Sequence, residues 1–273
     1  MADRFGGESS RLAAAVARGA PLLFLSAHLD DAVFSCGALI ADLAGTCPIT
    51  VATVFTEAGP PPHTYAARSF LAQCRADDVG ALYRERRAED RAVLAGLGVT
   101  GLHLGHTDAL FRGRDVPGPV GRLGRLLPEV VHRYPTYRWD IARGRVSRGD
   151  RRLVAGLVER TGALLAETGS PLLFCPVGVG RHVDHLVTRA VGAAHPDHVI
   201  YYSDHPYDLA GAPDPGFLTR HRLRSWSWPH GIADKIRHSR GYRTQYDAVF
   251  GEHGNGERPE TYYEPDQPAT RSA

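Results

Sequence analysis

Lysine is almost absent from this chain. Lys235 is the single lysine among 32 basic residues, and 30 acidic residues leave a formal charge of +2 at pH 7. A balance that even gives no electrostatic reason to expect a polyanion, so no nucleic-acid partner is expected. The arginine excess reads as the bias of a GC-rich genome. Cysteine is also scarce: Cys36, Cys47, Cys74 and Cys175 form no CxxC pair. Buried free thiols in a reducing compartment are the expectation. No apolar run is long enough to span a bilayer, and the patch Leu12 to Ala17, ended by Arg18, is too short for a signal segment. These absences point to a cytoplasmic protein without a transmembrane segment. Glycine is missing where nucleotide-binding folds need it, because the turn after the first apolar run reads Ala27-His28-Leu29-Asp30-Asp31. The nearest glycine pair, Gly178-Val179-Gly180, is followed by Val183 where the third glycine should stand. A dinucleotide-dependent dehydrogenase or a methyltransferase is therefore set aside.

What is present is a regular alternation of strand and helix. Buried, β-branched or continuously apolar runs predict strands over 21–27, 49–56, 99–104, 172–177 and 199–202. Helices are predicted over 10–18, 32–43, 79–97, 153–167 and 183–194, the third and fourth closed by Gly98 and Gly169. Apolar strands between helices predict an α/β fold, a doubly wound and mainly parallel sheet with helices on both faces. Ligands of such sheets sit outside the carboxyl ends of the strands. The 273 residues are read as a single domain with its core over about 21–250. Segments 58–74 and 108–150, rich in Gly, Pro and Arg, are read as rim loops, and 251–273 as a mobile tail.

Two short clusters carry the chemistry, each at a strand end and a helix start. In the first, His28 and Asp31 are three positions apart, a spacing that lets both reach one metal ion. Asp30 points elsewhere from the same turn and could serve as general base. The plain alternative is that these aspartates cap a helix. In the second, His182 and His185 are also three apart. Together the clusters assign His28, Asp31 and His185 as metal ligands. His182 is then the polarising or proton-donating histidine, with Asp184 orienting it or lying behind the ligands. Arg87 and Asp108 are candidates for holding sugar hydroxyls, against the plainer readings of a surface helix charge and a loop cap. Arg181 could meet a substrate carboxylate or phosphate, although solvation is the commoner fate. His103 and His106 flank a strand end and are read as structural, with the pocket as the alternative place for His106, and Trp226 and Trp228 as core, with a lid or a substrate contact as their alternatives.

These residues carry a resemblance to the LmbE-like, or PIG-L, family of zinc-dependent de-N-acetylases. The family's His-Pro-Asp-Asp-Glu motif is matched by His28-Leu29-Asp30-Asp31-Ala32, and its His-Pro-Asp-His motif by His182-Val183-Asp184-His185. Softer matches are 87–98 (RAEDRAVLAGLG), 104–108 (LGHTD), 201–207 (YYSDHPY) and the run 234–246 with Lys235, Tyr242 and Gln245. The resemblance implies a Rossmann-like fold and one Zn2+ per chain at His28, Asp31 and His185. It implies Asp30 as base and His182 as acid or stabiliser of the tetrahedral intermediate. Some members have a tyrosine two residues before the second motif; Gly180 stands there in this chain. The implied reaction removes acetyl from an N-acetylglucosaminyl unit of a small-molecule glycoconjugate, releasing acetate and a free amino sugar. The chain is most similar to deacetylases of glycopeptide antibiotic assembly, which act on a pseudoaglycone. Other members act on lipid-linked sugars or thiol-cofactor precursors. A non-catalytic sugar- or metal-binding module is the remaining alternative, and Asp30, which binding alone does not need, argues against it.

Overall fold

A computed structural model describes residues 9–251 and 255–266. The five expected strands form as β1 (Leu22–Ser26), β2 (Ile49–Glu57), β3 (Thr100–Thr107), β4 (Leu172–Pro176) and β5 (Val199–Tyr202). The five expected helices form as α1 (Ser10–Ala17), α2 (Asp31–Leu43), α4 (Val79–Gly96), α7 (Arg151–Thr168) and α8 (Val183–Ala193). The remaining elements are α3 (Tyr65–Gln73), α5 (Gly118–Gly124), α6 (Tyr137–Ala142), α9 (Pro215–Arg220), β6 (Leu223–Trp228), α10 (Ile232–Ser239), α11 (Arg243–Phe250) and β7 (Glu260–Pro265).

The strands make one sheet in the order β3-β2-β1-β4-β5-β7-β6. The first five are parallel, and β7 runs antiparallel to both of its neighbours. Every residue of β1, β4 and β5 is buried, which is why their sequences are unbroken apolar runs. Neighbouring residues serve opposite faces. Phe24 packs with Phe34, Leu39 and Trp228, while Leu23 packs with Leu157, Leu164 and Val187. The chain moves outward from β1 to β3 and then returns to place β4 on the other side of β1. The strand order therefore reverses between β1 and β4, where an open sheet leaves a crevice for ligands.

Two expectations need correction. The rim segments are only partly loop: Thr64 accepts a hydrogen bond from Ala67 N and starts α3, and 108–150 carries α5 and α6. The tail is not mobile over 260–265, because those residues form β7 inside the sheet. Its alternate residues Glu260, Tyr262 and Glu264 are buried. Glu260 accepts from Ala38 N and Leu39 N and pairs with Lys235, and Glu264 accepts from Ser9 Oγ. Polar composition hid this strand, whose acids find partners only after distant segments meet. The rest of the expected tail, 252–254 and 267–273, lies outside the described residues. Trp226 and Trp228 on β6 are buried, as the core reading has it. All four cysteines are free. Among the described residues no helix is long and apolar enough to cross a membrane.

Candidate metal centre and catalytic cavity

The turn after β1 is fixed by its own side chains. Ser26 Oγ donates to His28 O and accepts from Ala32 N, and Asp31 Oδ2 accepts from His28 N at 2.7 Å. Asp30 stands at the cap position of α2 but makes no capping hydrogen bond. The capping alternative thus fails for Asp30, whose buried carboxylate is left to the cavity. After β4 the chain turns through left-handed Gly178 and Gly180, with φ of 81° and 77°. His182 then caps α8 by accepting from Asp184 N, and His185 lies in the first turn of that helix.

The two clusters meet. Asp31 Oδ2 lies 3.1 Å from His28 Nδ1 and 3.2 Å from His185 Nε2. Ligand atoms around a tetrahedral zinc ion stand roughly 3.3 Å apart, given metal–ligand distances of about 2.0–2.1 Å. His185 Nε2 is buried and has no hydrogen-bond partner. Two other groups, His28–His182–His185 and His28–Asp108–Asp184, have potential ligand atoms that all lie within 4.8 Å of one another, whereas His28 and His185 are each brought to Asp31. In those groups most donor atoms are already engaged. His28 Nε2 faces Asp184 Oδ2 at 3.3 Å, and His182 contacts Asp184 N through Nδ1 and the Tyr137 hydroxyl through Nε2. Asp108 accepts from Leu110 N and from the Tyr83 hydroxyl, both at 2.8 Å.

Each histidine facing Asp31 has its other nitrogen held by a buried carboxylate. For His28 this is Asp184, which is fixed in turn by Ala109 N and by Arg112. For His185 it is Asp204, with Oδ1 at 2.6 Å from Nδ1 and Oδ2 accepting from Gly178 N and Val179 N. Such partners set the tautomer and aim the free nitrogen. Asp184 therefore reaches His28 and not the side chain of His182, because its position in α8 turns it toward β1. Burial works against charge throughout the cluster. Yet Asp31 and Asp204 overcome it at His185 and hold a proton there up to about 10. The cluster draws positive charge to this point, and a divalent cation would supply it. Burial and the neighbouring Asp31 carboxylate push Asp30 up to about 6, against the pull of Arg86. Burial, and then the charges of His28 and His185, push His182 down to about 3.

A cavity of about 380 Å³ opens above these residues. Its floor is His28, Asp30, Asp31, Asp108 and His182, with Arg86 beside them. Its walls come from short helices and mix apolar groups, Phe70 of α3, Ile141 of α6 and Val249 of α11, with polar ones such as Arg138 and Gln245. The substrate-binding expectations divide here. Asp108 lines the cavity and also caps the turn that follows it. Arg87 does not line it. Its guanidinium pairs with Glu57 at 2.7 Å and donates to Thr56 O, while Arg86, one helical step away, faces the cavity 3.6 Å from Asp30 Oδ2. Arg181 is exposed and reaches Ala142 O, away from the cavity wall. His103 is structural, bonded to Asp90 at 2.8 Å, and His106 packs on the Phe55 ring.

Sequence reasoning thus missed Arg86, Asp204, Tyr137 and Tyr207. Asp204 had a signal, an acid directly after a fully apolar strand. Arg86 differs from Arg87 only in helical phase, and Tyr137 lies in a segment without periodicity.

Comparison with known proteins fits this geometry. A family model described as PIG-L, GlcNAc-PI de-N-acetylase, matches residues 23–203. A 2'-N-acetylparomamine deacetylase from Streptomyces fradiae is 28% identical over 196 residues, which are 70% of this chain and 58% of that protein's length. A deacetylase–bog complex from the teicoplanin biosynthesis pathway superposes with a TM-score of 0.69 at 25% identity, covering 89% of this chain and 96% of that one. A zinc-inhibited form of teicoplanin deacetylase gives 0.68 at 23% identity, with 89% and 97% covered, and shows the same fold. With that match spanning both histidine clusters, the chain belongs to the PIG-L family of GlcNAc-PI de-N-acetylases.

Proposed function

We propose that this protein is a zinc-dependent amidohydrolase that removes acetyl from an N-acetylglucosaminyl unit of a glycoconjugate. The observation that carries the reading is that His28 Nδ1 and His185 Nε2 both face Asp31 Oδ2, with the carboxylate of Asp30, which caps no helix, on the same cavity floor. Two imidazoles and one carboxylate suit a single catalytic zinc with one position left open. When bound, zinc lowers the pKa of a water to ~7 and polarises a carbonyl. Asp30 would take a proton from the water that attacks the acetamide carbon and return it to nitrogen as the C–N bond breaks. His182, paired with the Tyr137 hydroxyl, helps stabilise the carbonyl oxygen as it gains charge. Asp184 and Asp204 hold the ligating histidines. Arg86 takes the substrate-binding place expected of Arg87, and Asp108 stands across the floor from it.

The substrate proposed is a glycopeptide antibiotic pseudoaglycone. Two structural relatives are named for teicoplanin and one curated relative for 2'-N-acetylparomamine. Phe70, Ile141 and Val249 on the cavity walls favour an amphipathic substrate over a polycationic one. A lipid-linked sugar is the second reading the same walls allow. The free thiols fit a cytoplasmic setting. Acetate release from pseudoaglycones, sugar-lipids and simple N-acetylglucosaminides tests this reading. Turnover of the pseudoaglycones that is lost in Asp30→Ala is the expected result. No acetate from any of them, or full turnover by Asp30→Ala, would overturn it.

A further inference from the structure

The rim helix α6 brings a phenol to the reaction floor. The hydroxyl of Tyr137 meets His182 Nε2, and both residues line the cavity that holds Asp30. The direction of this hydrogen bond follows from the far side of the ring. His182 Nδ1 lies 3.3 Å from the backbone N–H of Asp184, a group that can only donate. Nδ1 must therefore accept, and in a neutral imidazole the ring proton then sits on Nε2. Nε2–H donates to Tyr137 Oη. The hydroxyl proton of Tyr137 is left over, and no other described residue accepts it. A histidine engaged at both nitrogens has no free proton for the substrate, whereas the tyrosine does.

The turn that carries His182 supplies no side-chain hydroxyl of its own. Gly180 holds φ 77°, and a Cβ there would lie 2.9 Å from the ring of Tyr207. Tyr207 itself fills that space, packing edge-on against His185 at 5.7 Å between ring centres. Tyr137 is the phenol that His182 aims.

We propose that Tyr137 is a catalytic residue of the deacetylation, donating the hydrogen bond that stabilises the acetamide oxygen as charge builds there. His182 is a positioning residue that holds this hydroxyl in place. The inference rests on the deacetylase reading above. No bond to Tyr137 is made or broken. As the tetrahedral carbon collapses, the C–N electron pair leaves with nitrogen, the proton comes from Asp30, and the tyrosine keeps its own. Segment 108–150 thereby contributes to the chemistry as well as to the rim.

The test compares Tyr137→Phe, His182→Ala and His182→Gln with the wild-type holoenzyme on a substrate the wild type deacetylates. In Tyr137→Phe, kcat falls by about 10²–10³-fold, the effect of losing one such donor. Its metal content and melting temperature stay at wild-type values. Its Kd for a phosphonate analogue of the N-acetyl group rises by a similar factor. The amide N–H of a glutamine can replace Nε2–H, so His182→Gln recovers much of the activity that His182→Ala loses. A Tyr137→Phe enzyme with wild-type kcat overturns the proposal, and so does a His182→Gln variant as slow as His182→Ala, which would make the imidazole itself the donor. A wild type that deacetylates nothing overturns the deacetylase reading and the role of Tyr137 with it.

Discussion

His28, Asp31 and His185 leave the sheet at the carboxyl ends of β1 and β4; a buried carboxylate holds the far nitrogen of each histidine, and His28 N holds Asp31 Oδ2. Phe70, Ile141 and Val249 reach the same cavity from α3, α6 and α11, helices of 9, 6 and 8 residues beyond the strand ends. The floor is thus built from groups whose orientation is set twice, by the sheet and by a partner behind each ligand. The wall side chains Phe70, Ile141 and Val249 are apolar and are placed by packing. A floor made this way can keep one reaction while the walls change the substrate, because altering Val249 or Phe70 disturbs no hydrogen bond of the metal cluster.

Substitutions can break this division, and the largest effect falls on the floor. Asp30→Asn should lower kcat by about 10²–10⁴-fold while the protein keeps its metal, since Asp30 is outside the ligand set. Loss of metal along with activity would instead make Asp30 a ligand. Asp204→Ala acts one layer further back. It should weaken zinc binding by about 10–100-fold in a chelator competition, by freeing the ring of His185. An unchanged zinc affinity would mean that α8 alone orients His185. Arg86→Ala should reduce kcat/KM by roughly tenfold or more, as expected for a lost charge-assisted contact. The wall comes next. Phe70→Ala should raise KM several-fold for a pseudoaglycone, about 1 kcal/mol of lost apolar burial, and leave KM for a simple N-acetylglucosaminide alone. Equal effects on both substrates would show that the wall serves the sugar and not the aglycone. Arg87→Ala should matter least. Its partner Glu57 is 44% exposed, so the stability change should stay below about 1 kcal/mol with kcat/KM unchanged.

The same division explains what could be read without coordinates. The inner strands β1, β4 and β5 were legible because burial on both faces demands unbroken apolar runs, and the two histidine clusters because each sits where such a run stops. Strand β7 was not, because its buried face is Glu260, Tyr262 and Glu264, acids that find partners in Ala38, Lys235 and Ser9 only on folding. Arg86 and Arg87 are chemically identical, and only the packing of α4 against β2 and β3 decides which one faces the cavity. Arg181 looked promising beside His182. A left-handed residue with φ 61° in a turn of glycines sends its side chain outward, and no pattern in the sequence announces that.

The grip of three side chains on one ion is open to elemental analysis of purified wild-type protein beside His28→Ala, Asp31→Ala and His185→Ala. About one zinc per chain in the wild type, and little in any of the variants, is the predicted result. A wild type without metal, or a His185→Ala variant that keeps its full complement, would contradict it.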